Sequence, residues 1–320
     1  MALIKVTHVS KFFGSAAAVA DISFDVQEGE NFILLGTSGC GKTTTLKMIN
    51  RLIPVSAGTI SVNGKDIREQ APEALRKGMG YVLQHNSLFP HYTIAENIAI
   101  VPRLLRWEKH KTEARTKELL QKLHLPGEYA RKYPHELSGG EAQRVNVARA
   151  LAADPPVLLM DEPFGALDPV TRTAIRKEFS ELDEFKRKTI LMVTHDIQEA
   201  FSLGDRICLM DKGKIMQVGT PEDLLFQPAN DFVKRFLADA QLQLALMTTR
   251  ITALWPYLEP TEGTETDNVL DSNTSLWQAM ERLSDKESML WTLAQDGDRA
   301  TRKISTAGLW QAFAEYKKHR

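Results

Sequence analysis

The stretch GTSGCGKTT at residues 36–44 constrains this chain more than any other. It follows the apolar run FILL and leads into TLKMINRLI, so a buried strand turns through glycines into a helix. That is the setting a phosphate-binding loop requires. Gly36, Gly39 and Gly41 permit backbone conformations and close approaches that a Cβ would block. The N–H groups of the loop, including those of Thr37, Ser38 and Cys40, then face phosphate oxygens at the helix start. Lys42 reaches the β/γ-phosphates, Thr43 offers a hydroxyl to magnesium, and Thr44 completes the cradle. A glycine-rich turn with a chance lysine is the bland alternative, and the strand before it and the helix after it both speak against that.

Composition bounds the rest. At 320 residues the chain has room for more than one domain, and a formal net charge of -1 gives no support to nucleic acid as a general partner. The two cysteines, Cys40 and Cys208, lie in the glycine loop and in an apolar run, so no disulfide framework follows. Runs such as NFILLG and VLLMDEP are far too short to cross a bilayer, and the opening MALIKVTHVSKFF lacks a secretory cleavage pattern. The expectation is a cytosolic protein whose membrane attachment, if any, runs through partners.

In chain order, ALIKVTHVSKFF and DISFDVQ read as strands separated by a turn at Gly14, with a second turn at Gly29. Phe12 and Phe13 sit beside that first turn, where an aromatic either stacks on a purine or fills a hairpin core. On chemistry alone both readings stand. TISVNGKDI forms a short strand pair about Asn63-Gly64, and GMGYVLQ is a strand ending at Gln84. Gln84 is either a polar boundary residue or a carboxamide that approaches a metal and an attacking water.

Residues 86–155 carry apolar positions at helical spacing and read as an inserted helical subdomain. Its charged stretch RWEKHKTEARTKE is most simply one solvated face. Within it, LSGGEAQR opens a helix with Ser138, Gly139 and Gly140, a second anion-binding terminus or an ordinary N-cap. PPVLLMDEP follows, a continuous apolar strand that ends in Asp161 and Glu162. Such a strand is buried on both faces of a parallel sheet, and its acids lie where α/β sheets place their ligands. Asp161 suits magnesium, and Glu162 suits orienting or deprotonating water. TILMVTHD is another buried strand, ending at His195, whose imidazole is either a structural cap or a γ-phosphate sensor. DRICLMDKGKIMQVG closes with a hairpin about Lys212-Gly213.

With the glycine loop, Gln84, LSGGE, LLMDEP, GALD and MVTHD in this order, the chain resembles the ATPase subunits of ABC transporters over roughly its first three quarters. The resemblance implies an α/β fold: a P-loop NTPase, RecA-like core with a helical insertion, as a domain over residues 1–240. It implies ATP and Mg2+ as cofactors. Lys42, Gln84, Glu162 and His195 match the catalytic set, with Thr43, Gln84 and Asp161 toward the metal. Phe13 matches the adenine-stacking aromatic. Ser138, Gly139 and Gly140 match the signature that caps the partner subunit's γ-phosphate, and Asp168 matches the loop crossing the dimer interface. Two departures are visible: Glu141 stands where glutamine is commoner, and Phe13 where tyrosine is frequent. One set of motifs implies a homodimer, or a heterodimer with a similar chain, joined to transmembrane permease subunits and an extracytoplasmic substrate-binding protein. The place would be the cytoplasmic face of the cell membrane. Within the superfamily the chain looks most like ATPases importing quaternary-amine osmoprotectants such as glycine betaine, choline or carnitine. An importer of another small solute, such as an amino acid, and a soluble non-transport ABC protein are the rival readings.

Beyond residue 240 the match ends. Residues 241–266 read as a linker, and 267–320 as a small α/β tail with the order helix, strand, Asp-Gly turn, strand, helix. That order is similar to a single divergent CBS module, with a dimerisation tail as the alternative. Leu276, Trp277, Met280 and Leu283 are expected on one buried helical face.

Overall fold

The computed structural model describes residues 2–83, 87–258, 269–271, 274–283, 288–293 and 301–319. It divides into two compact units, Met1–Val218 and Gly219–Arg320.

In the first unit, β1 (Ala2–Phe13) and β2 (Ala16–Gln27) form an antiparallel hairpin. β3 (Asn31–Gly36) precedes the glycine loop, and β4 (Ala57–Val62) and β5 (Lys65–Asp66) flank a turn in which Asn63 and Gly64 have φ of 52° and 73°. Positive φ at both central residues is what a two-residue hairpin needs to match strand twist. These outer strands pair as β2-β1-β4-β5. The central sheet takes β3 together with β6 (Met79–Val82), β7 (Val157–Asp161), β8 (Thr189–Thr194), β9 (Arg206–Asp211) and β10 (Lys214–Gly219), in the order β10-β9-β3-β8-β7-β6. From β9 to β6 every neighbouring pair is parallel.

Every residue of β7 and β8 is buried, as their unbroken apolar character requires of strands covered on both faces. Phe24 of β2 stacks on Phe32 of β3 with ring centroids 5.1 Å apart, joining the two sheets. Both cysteines are free and buried in that shared core. The register places Leu35 beside Thr194 and Asp161 beside Val193, so the C-terminal ends of β3, β7 and β8 converge on one edge. Between the adjacent strands β6 and β7 runs a helical insertion with helices Ile94–Leu104, Lys109–Lys122 and Gly139–Leu151.

The second compact unit begins at Gly219, and residues 241–258 of the expected linker are largely helical. Helices Gln241–Thr248 and Ile251–Leu254 and the turn Trp255–Tyr257 bury Leu246, Leu254 and Trp255 in one core with Leu276, Leu309 and Phe313. The turn-rich look of residues 255–266 hid the apolar helices before it. A three-stranded sheet follows, in which β11 (Val269–Leu270) runs parallel to β12 (Ser288–Leu293) and β12 antiparallel to β13 (Thr301–Ser305). Helices Leu276–Leu283 and Thr306–Lys318 complete a βαββα order. Trp277 is exposed, against the expected buried face, and its indole N–H donates to Glu281 at 2.8 Å. The stripe is Leu276, Ala279 and Leu283, one turn apart, and residue 277 lies about 100° away from it. The Asp296-Gly297 turn lies outside the described residues.

Candidate nucleotide and catalytic site

Backbone geometry builds the loop first. Gly36 has φ of +155°, and a Cβ there would sit 2.1 Å from the Met210 carbonyl oxygen; at Gly41, with φ of +104°, it would sit 2.5 Å from that of Ala18. The loop is thus clamped between β9 and β2 by contacts only glycine allows. Gly41 begins the helix Lys42–Ile49 without a side-chain cap, leaving its first amides to a ligand. The buried Lys42 ammonium meanwhile donates to the carbonyls of Gly36 and Thr37 at 2.8 and 2.9 Å, across the mouth of the loop.

Asp161, at the end of β7, accepts a 2.8 Å hydrogen bond from the Thr43 hydroxyl. Burial pushes its carboxyl above the usual range, an effect that the Thr43 donor partly offsets. A desolvated carboxylate beside a hydroxyl is a hard oxygen set, and a cation there would relieve the desolvation, so these residues fit Mg2+. The next residue, Glu162, has φ of +46° and donates its backbone N–H to the Val193 carbonyl at 2.9 Å. The neighbouring strand thus holds a non-glycine residue in a left-handed conformation costing on the order of 1–3 kcal/mol. That turn sends the Glu162 carboxylate to His195, with Oε2 3.1 Å from Nδ1.

Gln84 lies outside the described residues, but the ends of its loop are visible. Asn146 Nδ2 donates to the Leu83 carbonyl at 3.2 Å, and Arg149 donates to the Ser87 carbonyl and hydroxyl at 2.7 and 2.6 Å. Further on, the buried Asn97 donates to the carbonyls of Phe89, Tyr92 and Thr93 and accepts from the Phe89 N–H. None of these anchors stands out in the sequence: Asn146 and Arg149 hold a loop far back in the chain, and Asn97 holds the segment just before its own helix.

Ser138, Gly139 and Gly140 gather with the Asp168 loop. A Cβ on Gly140 would meet Thr171 at 2.9 Å and Ile175 at 3.1 Å, and one on Gly139 would touch Leu167 at 3.8 Å. Arg144 and Glu178 pair at 2.9 Å between the same two helices. Ser138 caps its helix in a box with Glu141, while Asp168 caps the helix Pro169–Glu181 by accepting from the N–H groups of Val170 and Thr171. Phe13 is exposed at the hairpin tip, with the Lys11 ammonium 5.0 Å above its ring.

Comparison with known proteins matches this geometry to a family. Residues 19–165 match the ABC transporter family profile. The chain is 51% identical over 241 residues to the glycine betaine/carnitine/choline transport ATP-binding protein OpuCA of Bacillus subtilis, an alignment covering 75% of this chain and 63% of that protein. It is 49% identical over 251 residues to the glycine betaine uptake system ATP-binding protein YehX of Escherichia coli K12, covering 78% of this chain and 82% of that one. A solved ATP-binding cassette in a dimeric post-hydrolysis state with ADP and Pi superposes with a TM-score of 0.61 at 31% identity, covering 68% of this chain and 98% of that one. By these matches the chain belongs to the family of ABC transporter ATP-binding proteins.

Proposed function

We propose that this chain hydrolyses ATP to energise import of a quaternary-amine osmoprotectant through a membrane permease. The observation that carries the hydrolytic part is the juxtaposition at Asp161-Glu162, where consecutive acids point one to Thr43 and the other to His195. Lys42 leaves the Gly36 and Thr37 carbonyls for the β/γ-phosphates. Thr43 and Asp161, with Gln84, would hold Mg2+, which would supply positive charge against that of the phosphates. Glu162 accepts a proton from the attacking water as the water oxygen bonds to the γ-phosphorus and the bond to the ADP oxygen breaks. His195 orients Glu162 and the γ-phosphate. Ser138, Gly139 and Gly140 of a second copy close the site, Asp168 crosses the interface, and Phe13 stacks on adenine. Solved cassettes of this family are dimeric, which supports a two-copy arrangement.

The solute rests on the relatives, whose names specify glycine betaine, carnitine or choline transport. The chain spans 63% of the length of the first of them. Among the described residues no helix is long and apolar enough to cross a membrane, so attachment at the cytoplasmic face would run through permease subunits that receive solute from a binding protein. The βαββα order of the tail supports a CBS-like module that regulates transport. ATPase activity of the complex with its permease in liposomes tests the whole reading. Glycine betaine, choline, carnitine or an amino-acid panel is offered through the binding protein. Stimulation by a quaternary amine is expected, and stimulation only by another solute discards the osmoprotectant part.

A further inference from the structure

We infer that Arg172 is a positioning residue that clamps the turn bearing His195 to the loop bearing Leu167 and Asp168, so that the hydrolytic centre and the signature surface of one subunit move as a unit. The inference rests on the proposed hydrolytic role. Arg172 lies in the first turn of the helix Pro169–Glu181, and one guanidinium nitrogen, Nη2, donates to the Leu167 carbonyl at 2.9 Å. The other, Nη1, meets Asp196 Oδ2 at 3.5 Å. One planar fork thus reaches two loops in different directions, which the single ammonium of lysine cannot reproduce.

Each loop is tied by contacts on its own side. At the histidine turn, Thr194 Oγ1 donates to the buried Glu199 carboxylate at 2.5 Å and accepts from the Asp196 N–H at 3.0 Å, while Asp196 Oδ1 accepts from the Glu199 N–H at 3.0 Å. Burial pushes the Glu199 carboxyl up, an effect opposed by the Thr194 donor and by the nearby Arg172 and Arg176. At the other loop, Leu167 lies near Gly139, and Gly140 seats Thr171 and Ile175 so closely that a methyl group would displace their side chains. Arg172 is the bridge between these two closed networks. A displacement of the signature surface by a second subunit therefore reaches the turn that sets His195 against Glu162.

The test uses the full chain with wild type, R172A, R172K, D196N and the R172A/D196N double variant. Asn at 196 keeps an oxygen for the helix cap and removes only the charge, which separates the clamp from the cap. R172A and D196N are each expected to lower kcat by about 3- to 30-fold, with KM for ATP nearly unchanged. R172K is expected to be intermediate, and R172A to cost less in the D196N background than alone. Equal kcat in wild type and R172A, or fully additive effects, overturns the inference. Hydrogen exchange on the nucleotide-free chain decides it independently of hydrolysis. The Leu167 amide, bonded to the Phe164 carbonyl at 3.2 Å, and the Asp196 amide should lose protection together in R172A. Loss at one loop alone, or at neither, counts against the clamp. A wild type that binds ATP without hydrolysing it refutes the proposed function, and the exchange result then decides the role of Arg172.

Discussion

Two helix starts in this molecule face the same chemistry with opposite preparation. The helix Lys42–Ile49 begins at Gly41 with no side-chain cap, whereas the helix Gly139–Leu151 begins at Ser138 inside a complete capping box. In the box, Ser138 donates its hydroxyl to Glu141 Oε2 at 2.8 Å and accepts from the Glu141 N–H at 3.4 Å. Open amides at the first helix make a standing phosphate cradle. At the second start the Glu141 N–H and the Ser138 hydroxyl are already bonded within the box, so in the proposed dimer a phosphate arriving from a partner would have to displace an internal bond. In the proposed cycle the first start would hold its own subunit's nucleotide through open amides, and the second would meet a partner's phosphate only when the dimer closes.

Removing the proton acceptor of the cradle side has the largest expected effect. Glu162→Gln should lower ATP turnover by about 10²- to 10⁴-fold while ATP still binds and dimers accumulate, as seen by size exclusion with nucleotide. Unchanged turnover would take the base role from Glu162. Gly41→Ala forces a Cβ into the Ala18 carbonyl at a φ that side chains rarely adopt; it should cost about 1–3 kcal/mol in urea unfolding and abolish ATP binding. If calorimetry still shows binding, the loop has another way to present its amides.

On the capped side the effects are smaller. Ser138→Ala should cost about 1 kcal/mol of stability and weaken ATP-driven dimerisation while leaving ATP binding to the monomer intact. Loss of monomer binding would place Ser138 in its own subunit's site. Glu141→Gln should tighten the ATP-bound dimer by about 2- to 5-fold, because a carboxylate beside the incoming phosphate is replaced by a neutral amide. The Ser138 backbone N–H, followed by the Tyr129 hydroxyl, holds the Glu141 carboxyl below its ordinary range. Its contribution to stability is therefore present above the unfolded carboxyl value and is lost as pH falls through the lowered folded value. Thermal unfolding from pH 7 downward should show an acid loss in wild type that is reduced in Glu141→Gln. Parallel curves would mean that the box does not depend on charge.

The contrast also marks how far sequence reasoning reached. Residues 36–44 were legible because strand, glycines, lysine and hydroxyl are contiguous and each has a local reason. The apolar runs of β7 and β8 told their burial, and Asn63-Gly64 and Lys212-Gly213 told their turns. Trp277 lies off the buried face because the stripe Leu276, Ala279 and Leu283 is complete without it. The helices at residues 241–254 were missed since their apolar residues find partners in a sheet and helices much later in the chain.

Sequence by itself determined which chemical groups are present and the local conformations that present them: the glycine loop, the acids after a buried strand, the capped serine. Only the tertiary structure decided which of them meet. Asp161 reaches Thr43, Glu162 reaches His195, and Arg172 spans two loops because parallel strands align their C-terminal ends and helices pack through glycine. Such pairings depend on register and close packing between residues far apart in the chain, for which a linear pattern carries no signature.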